Sequence, residues 1–376
     1  MNKDALRKIV ELRHELHAHP ELSLREGGTK RRLMDFIEDN TTLAVVDCGK
    51  WFYAAHYVEG TEAVAFRADM DALPIPESLP TLPWASACPG VSHKCGHDGH
   101  SAALCGLGLE LERVSHPRSV YLFFQHAEET GQGGQECAAL LRERHIAEVY
   151  AFHNRSGYPE GSVVVRPGLC QCASRGLTVR MEGRRAHASE PEMGLNPSFA
   201  LAALVSHIEH LLEEPHEGLL LCTVVNIAAG QKDFGISAGE GEVSMTLRAD
   251  REAEIDALEA AIRDRAAQLA RDAGLEVSFQ VADPFPETVS DAACSGRVAA
   301  AAERLGRPLL RMEAPWRASE DFGWYTREVP GAIFYIGNGE NYPALHTPGY
   351  DFNDVILEAA VDMFLEIYRE SVSDVR

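Results

Sequence analysis

Apolar residues in the first forty positions recur at intervals of three and four, as in Ile9, Leu12 and Leu16 and again in Leu33, Phe36 and Ile37. That is the spacing of one helical face. Short β-rich runs follow, AVAFRAD at 63–69, VYLFFQ at 120–125 and EVYAF at 148–152, with helical segments near 99–114 and 134–144 between them. The alternation predicts an α/β unit with a mostly parallel sheet.

From residue 176 the pattern changes to strand (LTVRME), helix (197–213), strand (LLLCTVVNIA), strand (GEVSMTLRAD), long helix (252–272) and strand (LEVSFQV). This order is a split βαβ, ferredoxin-like α+β plan, complete in itself. A helix near 291–305, the apolar run AIFYIG at 332–337 and an amphipathic helix near 353–370 then resume the α/β character. The chain is therefore expected to fold as two domains, 1–174 joined with 286–376, and an insertion at 175–285.

Composition narrows the function. The chain has 376 residues, an ordinary share of hydrophobic (45%) and charged (24%) positions, and a formal charge of −22. Two compact units suit that length. The acidic balance excludes a nucleic-acid partner, which requires clustered Lys and Arg, and does not suit an anionic membrane surface. The first residues carry scattered charges and no apolar stretch of signal-peptide kind, and no later run reaches membrane-spanning length, so a cytoplasmic protein is expected. Nine cysteines without a framework spacing read as reduced thiols, with the Cys170-x-Cys172 pair structural.

The densest chemistry lies in His93-Lys94-Cys95-Gly96-His97-Asp98-Gly99-His100, where sulfur, imidazole and carboxylate donors suit a transition metal such as zinc or manganese. Taken alone the run also reads as a surface loop or a structural site. Gln125-His126-Ala127-Glu128-Glu129-Thr130-Gly131 ends the strongest core strand, and ligands gather beyond the carboxyl ends of strands in open α/β sheets. Glu128 and Glu129 could equally face solvent at a helix start. His153 also follows a β run, and Leu345-His346-Thr347-Pro348 stands near the end of the chain.

In their order, HKCGHDGHSA, HAEETGQGG, FHN, SEDFGWY and ALHTPGYDFND resemble the dinuclear-metal aminoacylase and carboxypeptidase superfamily. The branch containing hippurate hydrolase, the indole-acetyl-amino-acid hydrolases and N-acetyl-diaminopimelate deacetylase is the nearest match. The similarity runs from RHELHAHPELSLRE through FRADMDALPIPE to the final helix. It implies a metallopeptidase-like α/β catalytic domain with an inserted lid and dimerisation domain, and a homodimer formed through the insertion. It also implies two divalent cations, zinc or manganese, on Cys95, His97, Glu129, His153 and His346, with Cys95 in the bridging position. Glu128 would be the general base, and His187, in GRRAHASEPEMGLNP, would be presented to the reacting carbonyl. The implied reaction is cleavage of the amide bond of an N-acyl amino acid by an activated water.

Two departures from the branch stand out. Relatives usually carry Asn-Val-Ile-Pro where this chain has Asp233-Phe234-Gly235-Ile236-Ser237, in a stretch that lines the substrate site. Ser92-His93-Lys94 replaces the more frequent Met-His-Ala and brings a cation close to the metals; Lys94 could repel them or hold a substrate carboxylate, and is expected to point to solvent. A substrate carboxylate would need a cation, for which Arg184, Arg185, Arg248 and Arg317 are candidates that sequence does not rank. The competing readings are a dipeptidase or carboxypeptidase of the same fold, and a metal-binding protein without turnover. A zinc deaminase is excluded, since the chain has no Cys-x-x-Cys.

Overall fold

The structure is a computed structural model that describes residues 1–79 and 81–373. The chain divides into two compact units, one comprising 1–170, 288–315 and 320–376, the other 171–287 with 316–319.

In the larger unit, among the described residues, eight strands form one sheet. Their order is Ala44–Asp47, Phe52–His56, Val120–Gln125, Ala63–Asp69, Ile146–Ser156, Gly331–Gly339, Val163–Val165 and Leu309–Arg311. The third to sixth of these run parallel to one another. The expectation of a mostly parallel sheet holds for this centre, whereas Phe52–His56 pairs antiparallel on both sides and Val163–Val165 antiparallel with Gly331–Gly339. Every residue of Ala63–Asp69 and Val120–Gln125 is buried, as befits parallel strands covered on both faces.

One cover is the helix His97–Leu111, whose residues are all buried. Its Gly and Ala positions let neighbouring helices approach from several sides. A Cβ on Gly106 would come to 2.5 Å of Val361 in the helix Leu357–Ser373. Phe66, Phe152 and Phe334 of adjacent strands all pack on Phe364 with ring centroids 5.2–5.8 Å apart. This aromatic cluster fixes the sheet beneath the strand ends.

The smaller unit is an antiparallel sheet in the order Glu276–Phe285, Ala173–Glu182, Glu240–Ala249, Leu220–Ala229. Counted along the chain this is 4-1-3-2, the ferredoxin-like arrangement expected from the element order. Alternate residues Val243, Met245 and Leu247 are buried with Leu201, Leu204 and Ile208 of the helix Ser198–Glu213 and Ile255 and Ile262 of the helix Glu252–Ala273. Leu220–Ala229 is an outer strand, and Val225 and Ile227 on it are more than half exposed.

Candidate active site

Two of the parallel strands end side by side at Asp69 and Gln125, and Ile146–Ser156, paired beside Ala63–Asp69 as far as Arg67 and Ala151, carries His153 two residues beyond that point, so these residues share one rim of the sheet. Beyond Gln125 the chain turns sharply. Ala127 adopts a left-handed conformation (φ +49°), its N–H is held by Glu26 Oε1 at 2.7 Å, and Gly131 N–H closes on Glu128 O at 2.8 Å. The turn places both glutamates inward: Glu128 is buried and Glu129 nearly so. A solvent-facing pair is thereby ruled out.

The Cys95 segment enters the same rim through Gly96, which caps the helix His97–Leu111 at φ +103°. A Cβ there would stand 2.5 Å from Asn154 Oδ1, so this position requires glycine twice over. Cys95 Sγ lies 3.5 Å from His153 Nε2 and 3.3 Å from His346 Nε2. Glu129 Oε1 is 3.7 Å from both His97 Nε2 and His346 Nε2.

The five predicted ligands thus fall into two donor triads, Cys95 with His97 and His153, and Cys95 with Glu129 and His346. Within each triad the donor atoms lie within 4.8 Å of one another. Cys95 belongs to both. His97 Nε2 and Glu129 Oε1 are buried without a hydrogen-bond partner, an arrangement that costs free energy unless something else meets them. Sulfur, nitrogen and oxygen donors in this number fit a pair of divalent transition-metal ions.

The electrostatics point the same way. Burial and then Glu129, Glu128 and Asp69 push the Cys95 thiol well above its ordinary value, so a thiolate here needs a cation beside it. Burial lifts Glu129 to about 7. For His97 burial acts to lower the pKa, but Asp69, Asp71 and Glu129 outweigh it and carry the imidazole to about 10. Burial and the neighbouring His100 keep His153 neutral, with its pKa well below the usual range. The ring's Nδ1–H donates to Asn154 O at 2.8 Å, which turns Nε2 toward Cys95.

Several residues of this site received no role from the sequence. Asp71 Oδ1 accepts from His97 Nδ1, and Asp71 Oδ2 from Glu129 N–H at 2.9 Å. His100 lies between Asp69 Oδ1 and Asn154 Oδ1, 2.6 Å from each, and packs edge-on against the ring of His153. Arg67 reaches Gln125, Asp69, Glu320 and Asp321, and Glu320 and Asp321 stand beside Glu128. Burial, then Glu320, Glu129 and Asp321, raise the Glu128 carboxyl well above the usual range. The available signal is Arg67, a charge inside a strand whose other residues up to Asp69 are apolar, since a buried guanidinium demands carboxylates.

The expectation for Lys94 is corrected. Its side chain is fully buried, because Glu77 and the backbone oxygen of Tyr350 supply acceptors that replace water. His93 does not join the donors. It is buried toward His17, and burial lowers it to about 4.

His187 belongs to the smaller unit, where it is exposed and its Nδ1 lies 2.6 Å from Ser189 Oγ. Its segment pairs with the unusual stretch, Ala188 N–H bonding to Gly235 O and Ser237 N–H to Ala186 O. Phe234, at the tip, is 92% exposed. Arg184, Arg185, Arg248 and Arg317 also lie in the smaller unit. Arg185 pairs with Glu240, and Arg248 donates to Arg317 O and Ser319 Oγ.

Residues 65–370 match the model of peptidase family M20/M25/M40. The chain is 28% identical to N-acetyldiaminopimelate deacetylase of Exiguobacterium sibiricum, over 96% of this chain and 99% of that protein. It is 26% identical to N-acetylcysteine deacetylase of Bacillus subtilis, over 96% of each. Among solved structures, the YxeP protein of Bacillus subtilis, described as a dinuclear-metal-binding peptidase, shares the fold with a TM-score of 0.82 and 23% identity over 99% of both chains. The chain belongs to peptidase family M20/M25/M40 and is a hydrolase acting on amide C–N bonds.

Proposed function

We propose that this protein is a metal-dependent deacylase of N-acyl amino acids. In this reading Cys95, His97, Glu129, His153 and His346 hold two divalent cations, zinc or manganese, with Cys95 shared between them. The observation that carries it is Glu128: a buried carboxyl that stands outside both triads sharing Cys95, with Oε2 3.8 Å from His97 Nε2. Glu128 also lies in donor groups with His97 and Glu129 and with Glu320 and Asp321, but the five donors of the two triads complete the centre without it, which leaves it for proton transfer and speaks against a protein without turnover.

When bound, such cations lower the pKa of water and polarise a carbonyl. Glu128 takes the proton from the attacking water and delivers it to the leaving nitrogen, acting as base and then as acid. Its raised pKa suits the second duty. His187 donates to the oxygen on which charge develops, with the smaller unit serving as lid. That unit also provides a homodimer contact, supported by its open edge strand Leu220–Ala229 and the exposed Val225, Ile227 and Phe199. A reducing, cytoplasmic setting accords with the free cysteines.

The family's peptidases favour a second reading, cleavage of dipeptides. Amine release from N-acetyl, N-benzoyl and longer N-acyl amino acids, set beside a dipeptide panel and with added zinc or manganese, separates the two. Faster metal-dependent turnover of the N-acyl amino acids is expected; faster turnover of dipeptides would replace the deacylase reading.

A further inference from the structure

Lys94 lies next to Cys95, and its side chain is completely buried. An ammonium stripped of water is tolerated only against acceptors that replace its hydration. Nζ donates to Glu77 Oε1 at 2.7 Å and to the backbone oxygen of Tyr350 at 2.6 Å. The backbone oxygen of Lys94 in turn accepts the N–H of His346 at 2.8 Å. One residue therefore holds the loop 346–350 at both ends, once through its main chain and once through its ammonium. Between those points Tyr350 N–H closes on Thr347 O at 3.0 Å.

His346 needs such a hold. Its side chain is 53% exposed, so packing does not fix it. Its backbone is left-handed, with φ +62°, a conformation that a residue bearing a Cβ keeps only when its surroundings impose it. In that conformation Nε2 reaches Cys95 Sγ and Glu129 Oε1. Cys95, His97 and His153 are buried, and the two imidazoles have holds of their own, His97 on Asp71 and His153 on the backbone oxygen of Asn154.

We propose that Lys94 is a positioning residue for His346. Its ammonium, anchored on Glu77, pins the loop and governs how tightly the Cys95, Glu129 and His346 half of the centre holds its cation, while the Cys95, His97 and His153 half is left unaffected. This rests on the two-cation reading of the site. Nζ is completely buried as well as bound to two acceptors, so it does not serve as a receptor for a substrate carboxylate.

Cobalt(II) titration of the metal-free full-length protein, followed by visible absorption, tests this. Wild type is expected to take up two ions. Lys94→Met should take up the first with wild-type affinity and the second at least about tenfold more weakly, approaching His346→Ala in spectrum and stoichiometry. A folded Lys94→Met that binds both ions as wild type does, or that loses both equally, overturns the proposal. Glu77→Gln, which keeps the shape and takes away the ammonium's charged partner, decides the matter if Lys94→Met does not fold: selective weakening of the second ion supports the proposal and unchanged binding overturns it. Wild type taking up no cobalt would remove the two-cation reading and the proposal with it, an outcome distinct from failure of the variants alone.

Discussion

Asp71 Oδ1 lies 3.1 Å from Nδ1 of His97, and this contact leaves Nε2 of the ring directed at the neighbouring donors with no partner of its own. The same carboxylate accepts from Glu129 N–H at 2.9 Å and from Ser23 Oγ at 2.7 Å. One buried acid thus orients two candidate ligands, one at the start of the helix His97–Leu111 and one in the turn that follows Val120–Gln125. Asp71→Asn is expected to weaken metal binding by about 10- to 100-fold, read by competition with a chromogenic chelator. Wild-type affinity in the variant would show that Asp71 does not tune these ligands.

His17 sits between Asp98 Oδ2 at 2.8 Å and Glu77 Oε2 at 3.0 Å. Burial acts to lower its pKa, but hydrogen bonds to the two carboxylates win and raise it from 6.5 to about 9. Its stabilisation is therefore complete below pH 6.5 and is lost as pH rises through about 9. Glu77 has the opposite sign: burial opposes ionisation, His17 and Lys94 overcome it, and a pKa of about 2 gives stabilisation above pH 4.5 that disappears on strong acidification. Urea unfolding on either side of the alkaline window should show wild type losing on the order of 2 kcal/mol there. His17→Gln should lack that part of the slope, and an unchanged slope would assign it to other groups.

Gly99 lies in the first turn of the helix His97–Leu111, where Ala normally stabilises by up to about 1 kcal/mol. Here a Cβ would come to 2.3 Å of Phe352 Cε2, and Phe352 is buried. Overpacking should win, so Gly99→Ala is expected to cost about 1–3 kcal/mol in thermal or urea unfolding. A more stable variant would mean that Phe352 can move aside at little cost.

Much of the fold was legible because long elements carry their period. The helices of the first forty residues, the apolar runs at 63–69 and 120–125 and the alternation in GEVSMTLRAD stand in the structure within a few residues of the expected bounds. Ala44–Asp47, Val163–Val165 and Leu309–Arg311 were not foreseen, since three or four residues show no period and their pairing is decided by distant strands. At the site, motif order singled out Cys95, His97, Glu128, Glu129, His153 and His346, and the structure brings these six together. It did not disclose their supports. Asp71 with His97, Glu77 with Lys94 and Arg67 with Asp321 join residues 26, 17 and 254 positions apart, and spacing along a chain carries no record of such pairings. Lys94 was misread because a lysine is usually solvated, and its acceptors became apparent only when the loop holding Tyr350 was in place.

In the proposed reaction Glu128 moves the proton in a metal-dependent amide hydrolysis. Glu128→Gln keeps the side chain's shape and relieves crowding with Glu320 and Asp321, so the variant should fold and bind metal as wild type does. The most direct measurement is amine release from an N-acetyl amino acid by metal-loaded wild type and Glu128→Gln under identical conditions. A fall in kcat of about 10²- to 10⁴-fold, with metal content unchanged and wild-type activity abolished by a chelator, is the predicted result. Equal turnover by the two proteins, or wild-type turnover that survives chelation, would contradict it.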